Sequence, residues 1–292
     1  MGVLHSKEQL EGLQRLPLQR KIQITTARII EWYQHYDGKV YVAFSGGKDS
    51  TVLLDIVRRI YPDVPAVFSD TGLEFPEVRE FVKRCENITI VRPEMNFRKV
   101  IETYGYPVVS KRVADTVEYG HKPGTFRWKE LHGEIKRSNG SPSEFNCEKW
   151  CYLLDAPFKV SSRCCTVMKK RPMKKYAKAT GRVPIIATMA EESRSRRSTW
   201  LQLGCNAFSS KHPSSQPMSF WTEQDVLEYL YTYQIPYASI YGEIIKTDGG
   251  GGQQQENSVL AVSFVPLALI WKRLQTVSSG SRSATQNYGI TV

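Results

Sequence analysis

The sequence predicts an α/β protein, a parallel twisted sheet flanked by helices, and three observations carry that expectation. Apolar strand-like runs alternate with helical periodicity through three cycles between residues 21 and 104. Such alternation favours parallel strands joined by right-handed crossovers. The first strand runs straight into Ser45-Gly46-Gly47-Lys48-Asp49-Ser50-Thr51, which opens a helix. A chain of 292 residues with 41% hydrophobic content can bury a large core, as one α/β domain with extensions or as two small domains.

Taken in order, residues 1–20 read as an N-terminal extension, and Lys21 to Tyr36 as an amphipathic helix. A strand follows at Val40–Phe44, a helix from about Ser50 to Ile60, and a second strand at Pro65–Ser69. A helix at Pro76 to Cys85, a strand at Ile88–Val91 and a helix at Phe97 to Tyr104 complete the third cycle. From Gly105 to Asp155 the rhythm breaks into Gly, Pro, His, Lys and Trp without clear periodicity, which reads as an irregular insertion over one edge of the sheet. It either closes on a substrate or is a surface excursion, and His121 and His132 within it read as surface residues.

The loop after the first strand is built for an anion. Two glycines let the backbone approach closely, the amides at a helix N-terminus point outward, and Lys48 with the hydroxyls of Ser45, Ser50 and Thr51 adds charge and donors. Neither common nucleotide motif fits. A mononucleotide P-loop would place glycine where Val42 stands and Ser or Thr where Asp49 stands, and the dinucleotide glycine pattern fails as well. A second loop, Ser69-Asp70-Thr71-Gly72, lies at the end of the next strand. In parallel sheets ligands sit beyond the carboxyl ends of the strands, so the two loops are expected to converge there. Asp70 suits a ribose hydroxyl or an adenine amino group, Gly72 a turn, and Pro76 the first turn of a helix.

Forty Lys and Arg against 29 Asp and Glu give a formal charge of +11, which favours polyanionic partners such as nucleotides or nucleic acid. Clusters at Lys169, Lys170, Arg171, Lys174, Lys175 and Lys178, and at Arg194, Arg196 and Arg197, concentrate the excess. No apolar run reaches the roughly 18 residues of a membrane span, and no signal-like segment is visible. Six cysteines with an adjacent pair suggest reduced thiols, metal ligands or redox chemistry. A cytoplasmic location is expected.

The Ser-Gly-Gly-x-Asp-Ser/Thr loop resembles the pyrophosphate-binding loop of the ATP pyrophosphatase and phosphoadenylyl-sulfate (PAPS) reductase superfamily. Asp-Thr-Gly-x-x-Phe-Pro-Glu at residues 70–77 resembles a segment of PAPS reductases, and Glu192, Ser193 and Arg196 match that family's Glu-Ser-x-x-Arg loop. Trp221-Thr222-x-x-Asp225-Val226 resembles a further segment, and Thr222 with Asp225 also reads as a capping box. The resemblance covers residues 21–246. It implies a Rossmann-like, adenine nucleotide alpha hydrolase-like fold that binds an adenylyl nucleotide, PAPS, APS or ATP, the last with Mg2+. It also implies nucleotide or phosphate contacts from Ser45, Gly46, Gly47, Lys48, Asp49, Ser50, Thr51, Asp70, Thr71, Gly72, Lys169, Lys170, Glu192, Ser193 and Arg196. Lys48, Asp49 and Arg196 stand as catalytic candidates, although no catalytic residue is assigned.

Cys164 and Cys165 resemble the Cys-Cys pair with which many adenylyl-sulfate reductases and DNA phosphorothioation sulfurtransferases hold a 4Fe-4S cluster, completed by a later Cys-x-x-Cys. Here no cysteine follows Cys205, so two ligands are missing. Cys147 and Cys151 are a weaker metal pair, and Cys85 and Cys205 read as core thiols. Residues 257–292 hold no Asp or Glu. Back-translated from the third base of each codon, this tail permits Arg-Thr-Gly-Cys-x-x-Cys-x-Phe-Gly, which resembles the missing ending. A frame change between about Asp248 and Ser258 is therefore expected, with residues 247–292 a poorly ordered tail. One uninterrupted frame in the DNA of several independent isolates would overturn it.

Two chemistries follow from the resemblance: reduction of an adenylyl sulfate with a thioredoxin-like reductant, or ATP-dependent adenylation and sulfur transfer to an acceptor such as nucleic acid. A nucleotide-binding module that has lost its chemistry is the third reading. Oligomeric state is left open.

Overall fold

The computed structural model describes residues 4–247 and 259–262. Helix α1 (Lys7–Gln14) starts in a full capping box between Ser6 and Gln9 and buries Leu10; α2 (Leu18–His35) buries Ile29 and Trp32. Residues 1–20, expected as an extension, thus add Leu10 and Leu18 to the main core. The alternation then runs β1 (Val40–Phe44), α3 (Lys48–Ile60), β2 (Ala66–Ser69), α4 (Pro76–Arg84), β3 (Ile88–Val91) and α5 (Phe97–Tyr104). After α6 (Lys111–Tyr119), α7 (Phe126–Leu131) and α8 (Arg171–Thr180), the chain returns as β4 (Val183–Ile186), then α9 (Arg194–Leu203) and α10 (Glu223–Thr232).

The four strands are parallel in the order β3-β2-β1-β4. Val42 of β1 pairs with Ala66 of β2 on one side and Ile185 of β4 on the other. Central strands flanked by helices read as continuous apolar runs, and Val40, Val42 and Phe44 are buried accordingly. The order reverses between β1 and β4, and a crevice opens beyond the strand ends at such a switch point.

Side chains from distant segments lock the helices onto this sheet. Trp221, fully buried, donates its indole N–H to Thr25 Oγ1 at 2.8 Å, and Thr25 in turn donates to the Pro217 carbonyl at 3.1 Å. The capping box expected at Thr222 and Asp225 is present, and Asp225 also pairs with the buried Lys21 ammonium at 2.5 Å. Sequence showed the cap but not the ion pair, whose partners lie 204 residues apart.

The 105–155 region is more regular than its sequence suggests. Ser110 and Thr125 cap α6 and α7 through their hydroxyls, and Val117, Leu131 and Leu153 form a separate apolar cluster. Helices of nine and six residues are too short to show a clear period, which is why the pattern reads as irregular. Inside, Glu130 is 2% exposed and receives Arg112, Arg127 and the Thr116 hydroxyl.

A short antiparallel ladder joins β5 (Ile244–Thr247) to β6 (Val259–Val262). Apart from these strands, the tail expected from residue 247 onward, with its proposed frame change, lies outside the described residues. No helix among the described residues is long and apolar enough to cross a membrane.

Candidate functional site

The loop after β1 sits at the switch point and is braced from within. Ser50 Oγ and Thr51 Oγ1 both donate to the Gly47 carbonyl, at 2.9 and 3.0 Å, and the Ser45 N–H donates to Ser50 Oγ at 3.2 Å. Ser50 and Thr51 are buried, so their hydroxyls shape the loop rather than face outward. Gly46 has φ +73°, and a Cβ there would come within 2.7 Å of Val78 and 2.8 Å of Val82 on α4. Glycine lets α4 pack directly under the turn. No side chain caps α3, so its first-turn amides lack intrahelical partners.

A cleft of about 540 Å³ opens against this loop. Ser45, Gly47, Lys48 and Asp49 form one wall; Met189, Glu191 and Glu192 after β4 form the other, with Glu223 and Tyr241 completing it. Lys48 Nζ pairs with Glu223 at 2.7 Å and lies 5.5 Å from the centre of the Tyr241 ring. Burial pushes the Asp49 carboxyl up, opposed by the Lys48 charge. Burial likewise raises Glu191, which accepts the Glu223 N–H at 2.5 Å, and the Tyr241 phenol, with Asp49 adding to the effect. Glu192 accepts the Met189 N–H at 3.2 Å and pairs with Arg196, while Ser193 caps α9 by accepting the Arg196 N–H at 3.2 Å. Ser193 and Arg196 therefore brace the β4 wall, and the Arg196 charge acts to lower the Asp49 carboxyl.

The second loop is closed on itself. Asp70 accepts the Gly72 N–H at 3.2 Å and lies 3.4 Å from Arg79 and 3.3 Å from Arg92. Thr71 is held by Glu74 through both its N–H and its hydroxyl. Asp70, Thr71 and Gly72 flank the β1–β2 side, away from the cleft lining. The expected convergence holds at the level of strand ends, but the cleft forms between β1 and β4 because that is where strand order reverses.

Lys169 and Lys170 are exposed in a π-helical turn, Thr166–Lys170, and do not line the cleft. Cys165 is exposed; Cys164 packs beside Val100, Val167 and Met168, and burial next to Cys165 raises its thiol. Cys147 donates to the Phe145 carbonyl at 3.3 Å and Cys151 to the Leu131 carbonyl at 2.8 Å. Among the described residues no group of three His, Cys, Asp or Glu is placed to hold a metal. The described residues therefore do not fit a 4Fe-4S cluster.

Sequence reasoning missed Glu191, Glu223 and Tyr241 as site residues. Glu191 adjoins the matched Glu192, a weak signal. Glu223 reads only as the first residue of a capped helix, and nothing local links it to Lys48, 175 residues earlier.

The model of the phosphoadenosine phosphosulfate reductase domain matches residues 39–117 and 139–251. The chain belongs to this family. It is 33% identical to an adenosine 5'-phosphosulfate reductase of Halalkalibacterium halodurans, and 31% identical to adenosine 5'-phosphosulfate reductase 1 of Bacillus subtilis. Each match spans 84 residues, 26% of this chain and 36% of the relative, so it covers only about a third of the relative's length. A Bacillus anthracis adenosine 5'-phosphosulfate reductase is 23% identical over 214 residues, 73% of this chain and 75% of that one. Among solved structures, the PAPS reductase of Candida auris in a phosphate complex aligns over 82% of this chain and 92% of its own, at TM-score 0.41 and 15% identity. The U34-tRNA thiolase of Methanococcus maripaludis, with its [4Fe-4S] cluster, aligns over 75% and 66%, at TM-score 0.38 and 13% identity. The break in the family match, residues 118–138, falls inside the 105–155 region.

Proposed function

We propose that this PAPS reductase family member binds an adenylyl nucleotide, PAPS, APS or ATP, through its Ser45–Ser50 loop and acts in sulfur reduction or sulfur transfer. The observation that carries the reading is the uncapped start of α3, with Lys48 beside it, opening into the cleft at the β1–β4 switch point. Phosphate oxygens accept from such amides, and an ammonium adds a charge-assisted bond. Bound nucleotide displaces Glu223 from Lys48. The loop and Lys48 then stabilise charge developing on the phosphate or pyrophosphate that leaves.

In the reductive reading the thiolate of a cysteine near the C-terminus attacks the sulfate sulfur, the sulfur–oxygen bond to the nucleotide breaks, and a thioredoxin-like reductant releases sulfite from the resulting S-sulfonate; no cysteine follows Cys205 in this sequence, so that nucleophile is missing here. In the transfer reading an acceptor oxygen attacks the α-phosphorus of ATP, pyrophosphate leaves into the loop, and a sulfur nucleophile then displaces AMP. Asp49, Glu191, Glu192 and Glu223 line the cleft, but among the described residues no three carboxylates are placed to hold a metal, so in the transfer reading Mg2+ would arrive on the phosphates of ATP.

Calorimetric titration with Mg-ATP and, separately, with PAPS tests the reading, with Lys48→Ala as control. Preference for PAPS that is lost in the control supports reduction, and preference for Mg-ATP supports adenylating transfer. Binding of neither overturns the nucleotide reading.

A further inference from the structure

The net charge of this protein is not spread over it. Residues 105–182 hold 17 Lys and Arg against seven Asp and Glu, a formal +10 of the chain's +11. Several of those carboxylates are spent internally: Glu130 on Arg112 and Arg127, Asp115 on Arg127, and Glu118 on Arg163. The same stretch carries six of the eight large aromatic side chains exposed among the described residues. An isolated exposed aromatic needs no explanation, but a concentration of them within a basic segment does.

Contacts gather part of this set around one groove. The guanidinium carbons of Arg163 and Arg171 lie 5.6 and 5.8 Å from the centre of the Tyr104 ring. Arg163 also reaches the Tyr119 hydroxyl at 3.5 Å. Tyr104, His121, Phe158 and Lys159 line a groove of about 550 Å³, and Phe158 meets Tyr106 edge-on at 5.3 Å. Tyr106, Tyr119 and Phe158 remain 47, 50 and 41% exposed. Gly105 makes the close approach possible: its φ is +114°, and a Cβ there would come within 2.4 Å of the Lys159 carbonyl. Lys122 follows the lining His121, and the charge of Lys111 acts on the Cys164 thiol. The segment that carries Arg163 and Arg171 is tied to the sheet, since Ser69, at the end of β2, donates to the Met168 carbonyl at 3.0 Å.

We propose that this groove binds an unpaired nucleic-acid strand, its bases stacked on Tyr106, Tyr119 and Phe158 and its phosphates held by the surrounding lysines and arginines. Alternating aromatic faces and cations are what a single strand requires, since every base has a π-face and every linkage a negative charge. A duplex offers only its phosphates to such a surface, and a small nucleotide has no need of so long a basic stretch. The proposal deepens the transfer reading by naming its acceptor, and it rests on that reading for chemistry but not for binding.

Fluorescence anisotropy with a labelled 15-nucleotide mixed-sequence strand, without ATP or PAPS, tests it. The expected result is at least tenfold tighter binding of the strand than of the matching duplex. Phe158→Ala with Tyr119→Ala should weaken strand binding at least tenfold. Replacing Lys111, Lys122 and Lys159 with Gln should flatten the salt dependence by about 2 log units per log unit of salt. Near-ultraviolet circular dichroism and melting curves show whether the variants keep the wild-type fold. Should the aromatic pair fail to fold, Phe158→Leu, which keeps bulk but loses the ring, carries the stacking test. Lys48→Ala should keep full strand affinity, so that failure of the nucleotide reading and failure of this proposal are separable. Equal affinity for strand and duplex, or strand affinity unchanged in folded aromatic and lysine variants, would overturn it.

Discussion

The loops after β1 and β2 occupy equivalent places at the carboxyl ends of adjacent parallel strands, yet one is open and the other closed. The Ser45–Thr51 loop spends the buried hydroxyls of Ser50 and Thr51 on its own Gly47 carbonyl and leaves the uncapped start of α3 facing a cleft. Asp70–Gly72 spends its carboxylate on two arginines and a backbone N–H, and its threonine on Glu74. The first keeps donors for a ligand; the second is a latch that ties α4 and the end of β3 to β2. Position at a strand end makes a loop eligible for ligand binding, and the direction in which its polar groups are already satisfied decides how many donors it has left to offer.

Four experiments break or sharpen this contrast. The largest effect is expected from Gly46→Ala, where a positive φ and two contacts under 3 Å to α4 act together; a loss of about 3 kcal/mol in denaturant unfolding is expected. Gly72→Ala shares the positive φ, +78°, but meets nothing within 4 Å, so about 1 kcal/mol is expected. Equal losses at the two sites would remove the packing argument.

Lys48→Ala should weaken nucleotide binding by about 10- to 100-fold, the worth of one charge-assisted bond, with little change in melting temperature. Asp70→Ala should do the reverse. It leaves Arg79 and Arg92 without their shared carboxylate, costs about 1–2 kcal/mol of stability, and changes nucleotide affinity less than threefold. Loss of nucleotide binding in a folded Asp70→Ala protein would make the second loop part of the site.

The smallest effect concerns pH. Burial raises Asp49 above the ordinary aspartate value of 3.8, so the folded state holds that proton more tightly than the unfolded chain. Stability therefore falls as pH rises from 3.8 through the raised value, and the penalty is fully present above it. Asp49→Asn removes the penalty and should stabilise the free protein at pH 7 by about 1 kcal/mol or less, while flattening that part of the profile. Urea unfolding at a series of pH values reads both; a destabilised variant at pH 7 would show that the Lys48 attraction outweighs burial.

Much of this was legible in the chain. The bounds of β1 and β3 follow from apolar runs ended by turn residues, and the turn into α3 from Gly46 and Gly47 between a strand and a helix. The cap at Thr222 and Asp225 was visible because its partners are three residues apart. The two helices of the 105–155 region were not, being too short to display a period. Glu223 as the partner of Lys48, and Lys21 as that of Asp225, were invisible because no local pattern encodes a pairing across 175 or 204 residues.

By itself, then, the sequence determined the α/β alternation, the ends of the strands and the glycine turn that opens α3, since each depends on backbone preferences acting over a few residues. Only the tertiary structure decided on which side of β1 the cleft opens, which loop remains open, and that Arg163, Arg171, Tyr104, Tyr106, Tyr119 and Phe158 gather around one groove. These are set by strand order and by packing between distant segments, where a side chain's partner is fixed by the fold and not by its neighbours in the chain.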